Sequence, residues 1–290
     1  MTAALLAIPN VSEGREEATI GTLRAAFGPG LLDVHDDPDH HRSVYTIAGS
    51  PGRLASVVLN GAKVAVEQVD VVTHQGIHPR VGAIDVAPIV YLQDADRGAA
   101  CAEALVLADR LAGTLEVPVF LYGELAGGRT RAELRAGGLA GLAERIETGE
   151  QVPDFGPQRL HPTAGAVLVG ARPPLIAFNV ELAPPATLED AKAIAALIRE
   201  GGEEGLPSLR AIGLWLDHRG VAQVSMNLED HRTTSPAEVV AAIGRHATPW
   251  RAELVGLAPA AAFEGFPADL EVANKRLIEE ALAPGDPQGD

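Results

Sequence analysis

Cysteine is almost missing: Cys101 is the single one in 290 residues. An internal disulfide is excluded, and so is a cysteine-based metal cluster. Cys101 lies in an alanine-rich helical pattern, where it reads as a small buried hydrophobe. No run of about eighteen uninterrupted apolar residues occurs, so no transmembrane helix is expected. The opening decapeptide MTAALLAIPN lacks a basic n-region, and its apolar run is too short for a signal peptide. These features point to the cytoplasm. Positive charge is also scarce. The formal net charge is −16, and lysine occurs only as Lys63, Lys192 and Lys275. Such a surface repels nucleic acid and anionic lipid, so neither is an expected partner. An anionic substrate would have to be met by arginine, which suits bidentate carboxylate recognition.

What is present is ordinary globular material, 47% hydrophobic and 21% charged, enough for one large domain or two smaller ones. The apolar pattern predicts strands at 4–9, 30–34, 43–48, 83–92 and 117–122. Helices are predicted over 16–27, 51–69 and 95–112. The order through residue 92 is β-α-β-β-α-β, the split pattern of ferredoxin-like domains. Strands at 175–181, 210–217, 221–227 and 252–257, with helices at 188–200 and 236–245, repeat it. The fold class expected is therefore α+β: two ferredoxin-like subdomains, 1–170 and 171–290, with helices on one face of each sheet and a ligand groove between them. The connecting stretch 149–165, GEQVPDFGPQRLHPTAG, is too rich in Gly and Pro for a regular element. A loop of that length is often functional.

The densest cluster of chemically capable residues is His74-Gln75-Gly76-Ile77-His78-Pro79-Arg80. It falls between a helix and a buried strand, where His78 and Arg80 could project into a cleft. Imidazole can give and take a proton near neutral pH. A second polar cluster, DVHDDPDHHR at 33–42, should end near the same sheet edge and adds His35, His40, His41 and Arg42. Histidine with aspartate can bind metal, and His74 and His78 are four apart. Gly76 and Pro79 oppose the helix that such spacing needs, so no metal is expected. There is no G-x-S-x-G elbow, P-loop or Rossmann glycine pattern.

A series of strings resembles the formiminotransferase domain of glutamate formiminotransferase. In order they are IPNVSEGR at 8–15, RSVYT at 42–46, HPRVGAIDVAP at 78–88, PVFLYGE at 118–124, DFGP at 154–157, GAR at 170–172, IAFNV at 176–180 and AQVSMNL at 222–228. The resemblance implies two ferredoxin-like subdomains around a ligand groove. It also implies transfer of a formimino group from N-formimino-glutamate to tetrahydrofolate, within histidine degradation and one-carbon metabolism. The implied partners are thus two small molecules, folate and formimino-glutamate, with a homodimer as one admissible assembly. By this resemblance His78 is the catalytic acid–base. Gly156–Gly165 corresponds to the folate-contacting loop and includes Pro157 and Thr163. Arg42, Arg80, Tyr122, Asn179, Gln223 and Asn227 are assigned to substrate or folate binding, with His35, His41 and His74 in support. Four positions depart from the family pattern. Ile77 replaces an acid, His35 an aspartate, His41 an asparagine, and Ala164 an aromatic that could stack on the pterin. Three other readings stand beside this one: a paralogue using another amidine or one-carbon donor, a non-catalytic binding protein, and a metal-dependent amidohydrolase built on Asp33 and the histidines.

Overall fold

The structure, a computed structural model, describes residues 5–76 and 79–283. The chain is of mixed α+β type and divides into two compact units, Met1–Pro173 and Pro174–Asp290, each with its own sheet.

The first unit contains, in chain order, β1 (Leu5–Ala7), β2 (Asn10–Val11), α1 (Glu17–Phe27), β3 (Leu31–Asp37), β4 (Arg42–Gly49), α2 (Leu54–Gln68), β5 (Ile84–Tyr91), α3 (Arg97–Leu115), β6 (Val119–Leu121), α4 (Arg131–Arg135), α5 (Gly138–Glu147) and β7 (Val167–Arg172). β1 and β2 both lie between β4 and β5, antiparallel to each, and β3 flanks β4. Beyond β5 the sheet continues in parallel fashion through β7 to β6. One face is covered by α1, α2 and α3. Their apolar positions recur at helical spacing, as in Ile20, Leu23 and Phe27 of α1 or Ala100, Ala104, Leu107, Ala108 and Leu111 of α3.

The opposite face is also covered, at the β5–β7–β6 end. Val86, Leu168 and Phe120 stand in register on neighbouring strands and join Leu134, Leu142 and Ile146 of α4 and α5 in a second apolar cluster. The expectation of helices on one face only therefore fails in this unit. A parallel extension is apolar on both faces and needs cover on both. Glycines at 137, 138 and 141 interrupt the periodicity that would have marked these helices. A capping box at Thr130 and Glu133 does announce the first of them.

The second unit contains β8 (Ile176–Leu182), α6 (Leu188–Ile198), β9 (Leu209–Leu216), β10 (Val221–Leu228), α7 (Pro236–Gly244), β11 (Pro249–Val255), β12 (Val272–Ala273) and α8 (Ile278–Leu282). The strand order is β12-β11-β8-β10-β9. Ile176, Phe178, Val180 and Leu182 point to the core shared with α6 and α7, and the alternate residues Asn179 and Glu181 occupy the other face. Both helices begin at capping boxes, Thr187 with Asp190 and Ser235 with Glu238.

Candidate active site

Three of the family-like strings meet at one end of the first sheet. A small cleft, open to solvent, is lined by Asn10, Ser12, His40, His41, Arg42, Arg80 and Asp85, among others. Ser12 Oγ donates to the Gly82 carbonyl at 2.7 Å, tying the end of β2 to the approach of β5. Glu13 accepts from the backbone N–H groups of Arg15 and Glu16 at 2.7 and 3.0 Å, just ahead of α1.

His40 and His41 end the β3–β4 turn. His40 is buried, and its Nδ1 lies 2.5 Å from Asp37 Oδ2. Burial works against the Asp37 charge, but the hydrogen bonds and charge of His40 outweigh it and hold the carboxyl at about 2. His41 has φ 51°, the left-handed region. Its Nδ1 accepts from the Gly14 N–H at 3.2 Å, and its ring stacks on His74. Burial pushes both imidazoles below their ordinary pKa, with Arg80 adding to the effect on each, and His74 reaches about 4. Two neutral rings can pack at this distance, tilted by 34°, where two imidazolium ions would repel.

Arg80 spends its guanidinium on the loop before it. Nη1 donates to the Gly76 carbonyl at 3.0 Å and Nη2 to the His74 carbonyl. Ile77 and His78 lie outside the described residues. Arg42 differs from Arg80: its Nε is buried without a partner, and no carboxylate comes within ion-pair distance among the described residues. Asp85 is buried and engaged, accepting from Val81 N–H at 2.7 Å and pairing with Arg135 of α4. His35 sits half-buried on β3 opposite Val44. Among the described residues no group of three or more His, Cys, Asp or Glu is arranged to hold a metal ion. No helix among them is long and apolar enough to cross a membrane.

Comparison with known proteins decides the kinship. The N-terminal subdomain of the formiminotransferase domain matches residues 4–172, and the formiminotransferase domain matches residues 177–265. The chain belongs to the formiminotransferase family. It is 36% identical to glutamate formimidoyltransferase of Streptococcus pyogenes, covering 88% of this chain and 89% of that one. It is 35% identical to glutamate formimidoyltransferase of Thermoplasma acidophilum, covering 87% of each. Against formimidoyltransferase-cyclodeaminase of Sus scrofa the identity is 39% over 87% of this chain, which spans 49% of that longer protein. The resemblance carried by the strings is thus borne out along nearly the whole chain.

Tyr122 is buried against Gly170, its hydroxyl has no partner, and the Arg131 guanidinium lies 5.6 Å from its ring centre. The 149–165 stretch has no helix or long strand, yet it is firmly held. Asp154 accepts from Leu121 N–H at 2.7 Å and pairs with Arg129, and His161 and Gly165 exchange backbone hydrogen bonds at 2.9 and 3.1 Å. Gly156 and Gly165 have φ 85° and 68°; a Cβ on either would lie 2.7 or 2.2 Å from a backbone oxygen. Pro157 is half-buried. Thr163 is exposed, and its carbonyl accepts from Val71 N–H at 2.9 Å. Ala164 faces inward, 1% exposed, within the main apolar core. In this backbone its side chain is core packing and not a surface for a pterin.

In the second unit Asn179 and Gln223 are buried on the face away from α6 and α7, on adjoining strands. Asn179 Nδ2 donates to Glu253 at 3.3 Å, whereas both polar atoms of the Gln223 amide lack partners. Asn227, four positions along β10 from Gln223, is half-buried opposite Ala177. Sequence reasoning missed Asp85 and Arg135. Asp85 is contained in the HPRVGAIDVAP string, but nothing in the sequence connects it to an arginine fifty residues later.

Proposed function

We propose that this chain transfers a formimino group from N-formimino-glutamate to tetrahydrofolate, with His78 as general acid–base. The observation that carries the reading is the match, over 87–89% of each chain, to proteins named glutamate formimidoyltransferase. The cleft beside the His74–Arg80 loop, with its unpaired Arg42, is what an anionic amino-acid substrate calls for.

The chemistry exchanges one nitrogen for another on an amidine carbon. The folate N5 forms a bond to that carbon, and the carbon–nitrogen bond to glutamate breaks. His78 takes the proton from the attacking nitrogen and returns one to the departing amine, so one imidazole serves both movements. Such proton transfer is worth about 10²–10⁴-fold in rate. The reaction so written calls for no metal. Arg42 holds a substrate carboxylate. Tyr122, the Gly156–Gly165 loop with Pro157 and Thr163, Asn179, Gln223 and Asn227 receive the folate. The unpartnered Tyr122 hydroxyl and Gln223 amide support that assignment, since buried polar groups ordinarily find partners. Arg80, which lines the same cleft, is assigned with Arg42 to the substrate, and His41, His74 and His35 support the loop and its surroundings.

The two units are read as ferredoxin-like subdomains, 1–170 and 171–290, with the ligands in a groove between them. In each, the strands of the β-α-β-β-α-β core run in the spatial order fourth, first, third, second, which supports a duplicated architecture. The cytoplasm is the proposed location.

The test incubates purified protein with N-formimino-glutamate, with and without tetrahydrofolate, and follows glutamate release. Folate-dependent release is expected. Release without folate would favour an amidohydrolase, and faster reaction with another amidine would favour a paralogue.

A further inference from the structure

The charges around the cleft do not cancel in pairs. Arg42 has Asp37, Asp85, Arg131 and Arg135 within electrostatic reach. Asp37 is engaged by His40, whose Nδ1 and backbone N–H it meets at 2.5 and 2.9 Å. Asp85 lines the cleft with Arg42, yet its Oδ2 is taken by Arg135 Nη2 and its Oδ1 by Val81 N–H. Both nearby carboxylates are thus committed elsewhere, and Arg42 is left as the cation without a counter-ion.

The commitment of Asp85 depends on α4, which also helps to cover the second face of the sheet. The Thr130–Glu133 capping box starts α4, and Leu134 anchors it in the apolar cluster against Val86 and Phe120. Arg145 of α5 donates to the carbonyls of Leu134 and Ala136 at 2.9 and 2.7 Å and closes the turn between the two helices. Arg135 is thereby fixed with only 14% of its side chain exposed, beside an Asp85 side chain that is 6% exposed.

We infer that Arg135 is a positioning residue: by occupying Asp85 it keeps that carboxylate off Arg42, which stays available for a carboxylate of the substrate. The inference rests on the proposed function for the identity of that substrate, but its charge logic applies to any carboxylate ligand of the cleft. Without Arg135, Asp85 is a buried anion next to an unpaired cation, and the two join. Arg42 is then quenched from inside the protein.

The experiment measures L-glutamate affinity by calorimetry, and KM and kcat for N-formimino-glutamate, in the wild type and three variants. Arg135→Gln is expected to weaken glutamate binding and raise KM by about tenfold, the loss of one charge-assisted contact, with a smaller change in kcat. Arg135→Lys, which keeps the charge, should remain near wild type. The double change Arg135→Gln with Asp85→Asn removes the quenching carboxylate and should recover most of the lost affinity. A merely structural Arg135 makes the double variant equal to or worse than the single one, and that result overturns the inference, as does failure of the wild type to bind glutamate. If Arg135→Gln does not fold, the double variant is compared with Arg135→Lys: similar glutamate affinity supports the inference, and affinity about tenfold weaker in the double variant overturns it. A wild type that binds glutamate without transferring the formimino group refutes the proposed function and leaves the binding pattern as the test of Arg135.

Discussion

The imidazoles of His41 and His74 stack with ring centres 4.0 Å apart, while His74 Nε2 donates to the His41 carbonyl at 3.0 Å. With Arg80 holding the carbonyls of His74 and Gly76, this pair ties residues 74–76 to the β3–β4 turn. A family asparagine is replaced at 41 by a ring that can stack, so the loop is anchored by contact area as well as by hydrogen bonding.

This pair makes stability depend on pH. Folded, His74 titrates at about 4 and His41 also below its ordinary value; unfolded, both titrate near 6.5. Between those limits the unfolded chain binds more protons than the folded one. Stability therefore falls as the pH drops through about 6.5 toward 4, and levels off below. The Asp37 contribution is separate, being lost only between 3.8 and about 2. Urea midpoints at pH 7 and 5 should differ for the wild type and differ less for His74→Asn; equal slopes in the two proteins would count against the stacked neutral pair.

His78→Ala should lower turnover by at least about 10²-fold, the lower range for losing a general acid–base. Folate affinity should change much less, because the imidazole acts on the reacting nitrogens. That pattern is lost transition-state stabilisation without comparable loss of ground-state binding. Steady-state kinetics with the folded fraction checked by circular dichroism makes the measurement, and wild-type turnover in a folded variant ends the catalytic assignment.

Gly165→Ala should cost roughly 1–3 kcal/mol or more, the scale of a forced backbone conformation. The added Cβ would meet the Val81 carbonyl oxygen at 2.2 Å in a left-handed backbone. Gly149→Ala is the control: its φ is 76° but no atom lies within 4 Å, so only the conformational cost applies. Thermal denaturation of the two variants should separate them clearly, and equal melting temperatures would refute the clash argument.

Much of this arrangement could be read from residues alone, because it depends on local periodicity. The strands at 43–48 and 83–92 and the helices at 16–27 and 188–200 reappear within a few residues of their expected limits. The reading stopped where the cause lies at a distance. The short helix carrying Arg135 is marked only by Thr130 and Glu133, and glycines at 137, 138 and 141 separate its Leu134 from Leu142 and Ile146 of α5. Strand β7 is a brief apolar run whose partners lie far away in sequence. At Ala164 the family pattern suggested a ligand surface, but the side chain faces inward in a backbone held by tertiary hydrogen bonds, from Ala83 N–H to its own carbonyl and from Ala166 N–H to the Val81 carbonyl.

Leu134→Ala should destabilise the protein by about 2–5 kcal/mol, the usual range for emptying a fully buried leucine site. Leu134 is wholly buried and lies next to Arg135 in α4. Besides the lower denaturation midpoint, KM for formimino-glutamate should rise at temperatures where the variant is still folded. A stability loss with unchanged KM would show that α4 need not be packed for the site to work.

The parallel extension has a consequence for synthesis on the ribosome. In the second unit, β9 and β10 form a hairpin across a short turn, β8 pairs with β10, and β11 pairs with β8, all within one stretch of chain. In the first, β5 gains its outer neighbour only when Val86 meets Leu168. Until residue 172 has left the exit tunnel, β5 carries an open edge, and Val86 waits for Leu168. Such long-range pairing is slow to form and vulnerable to wrong partners. The half that is made first is therefore completed late. An elongation pause placed before residue 167 would prolong the exposure of that edge, whereas one placed just after 172 has emerged would let the first sheet close before the second begins.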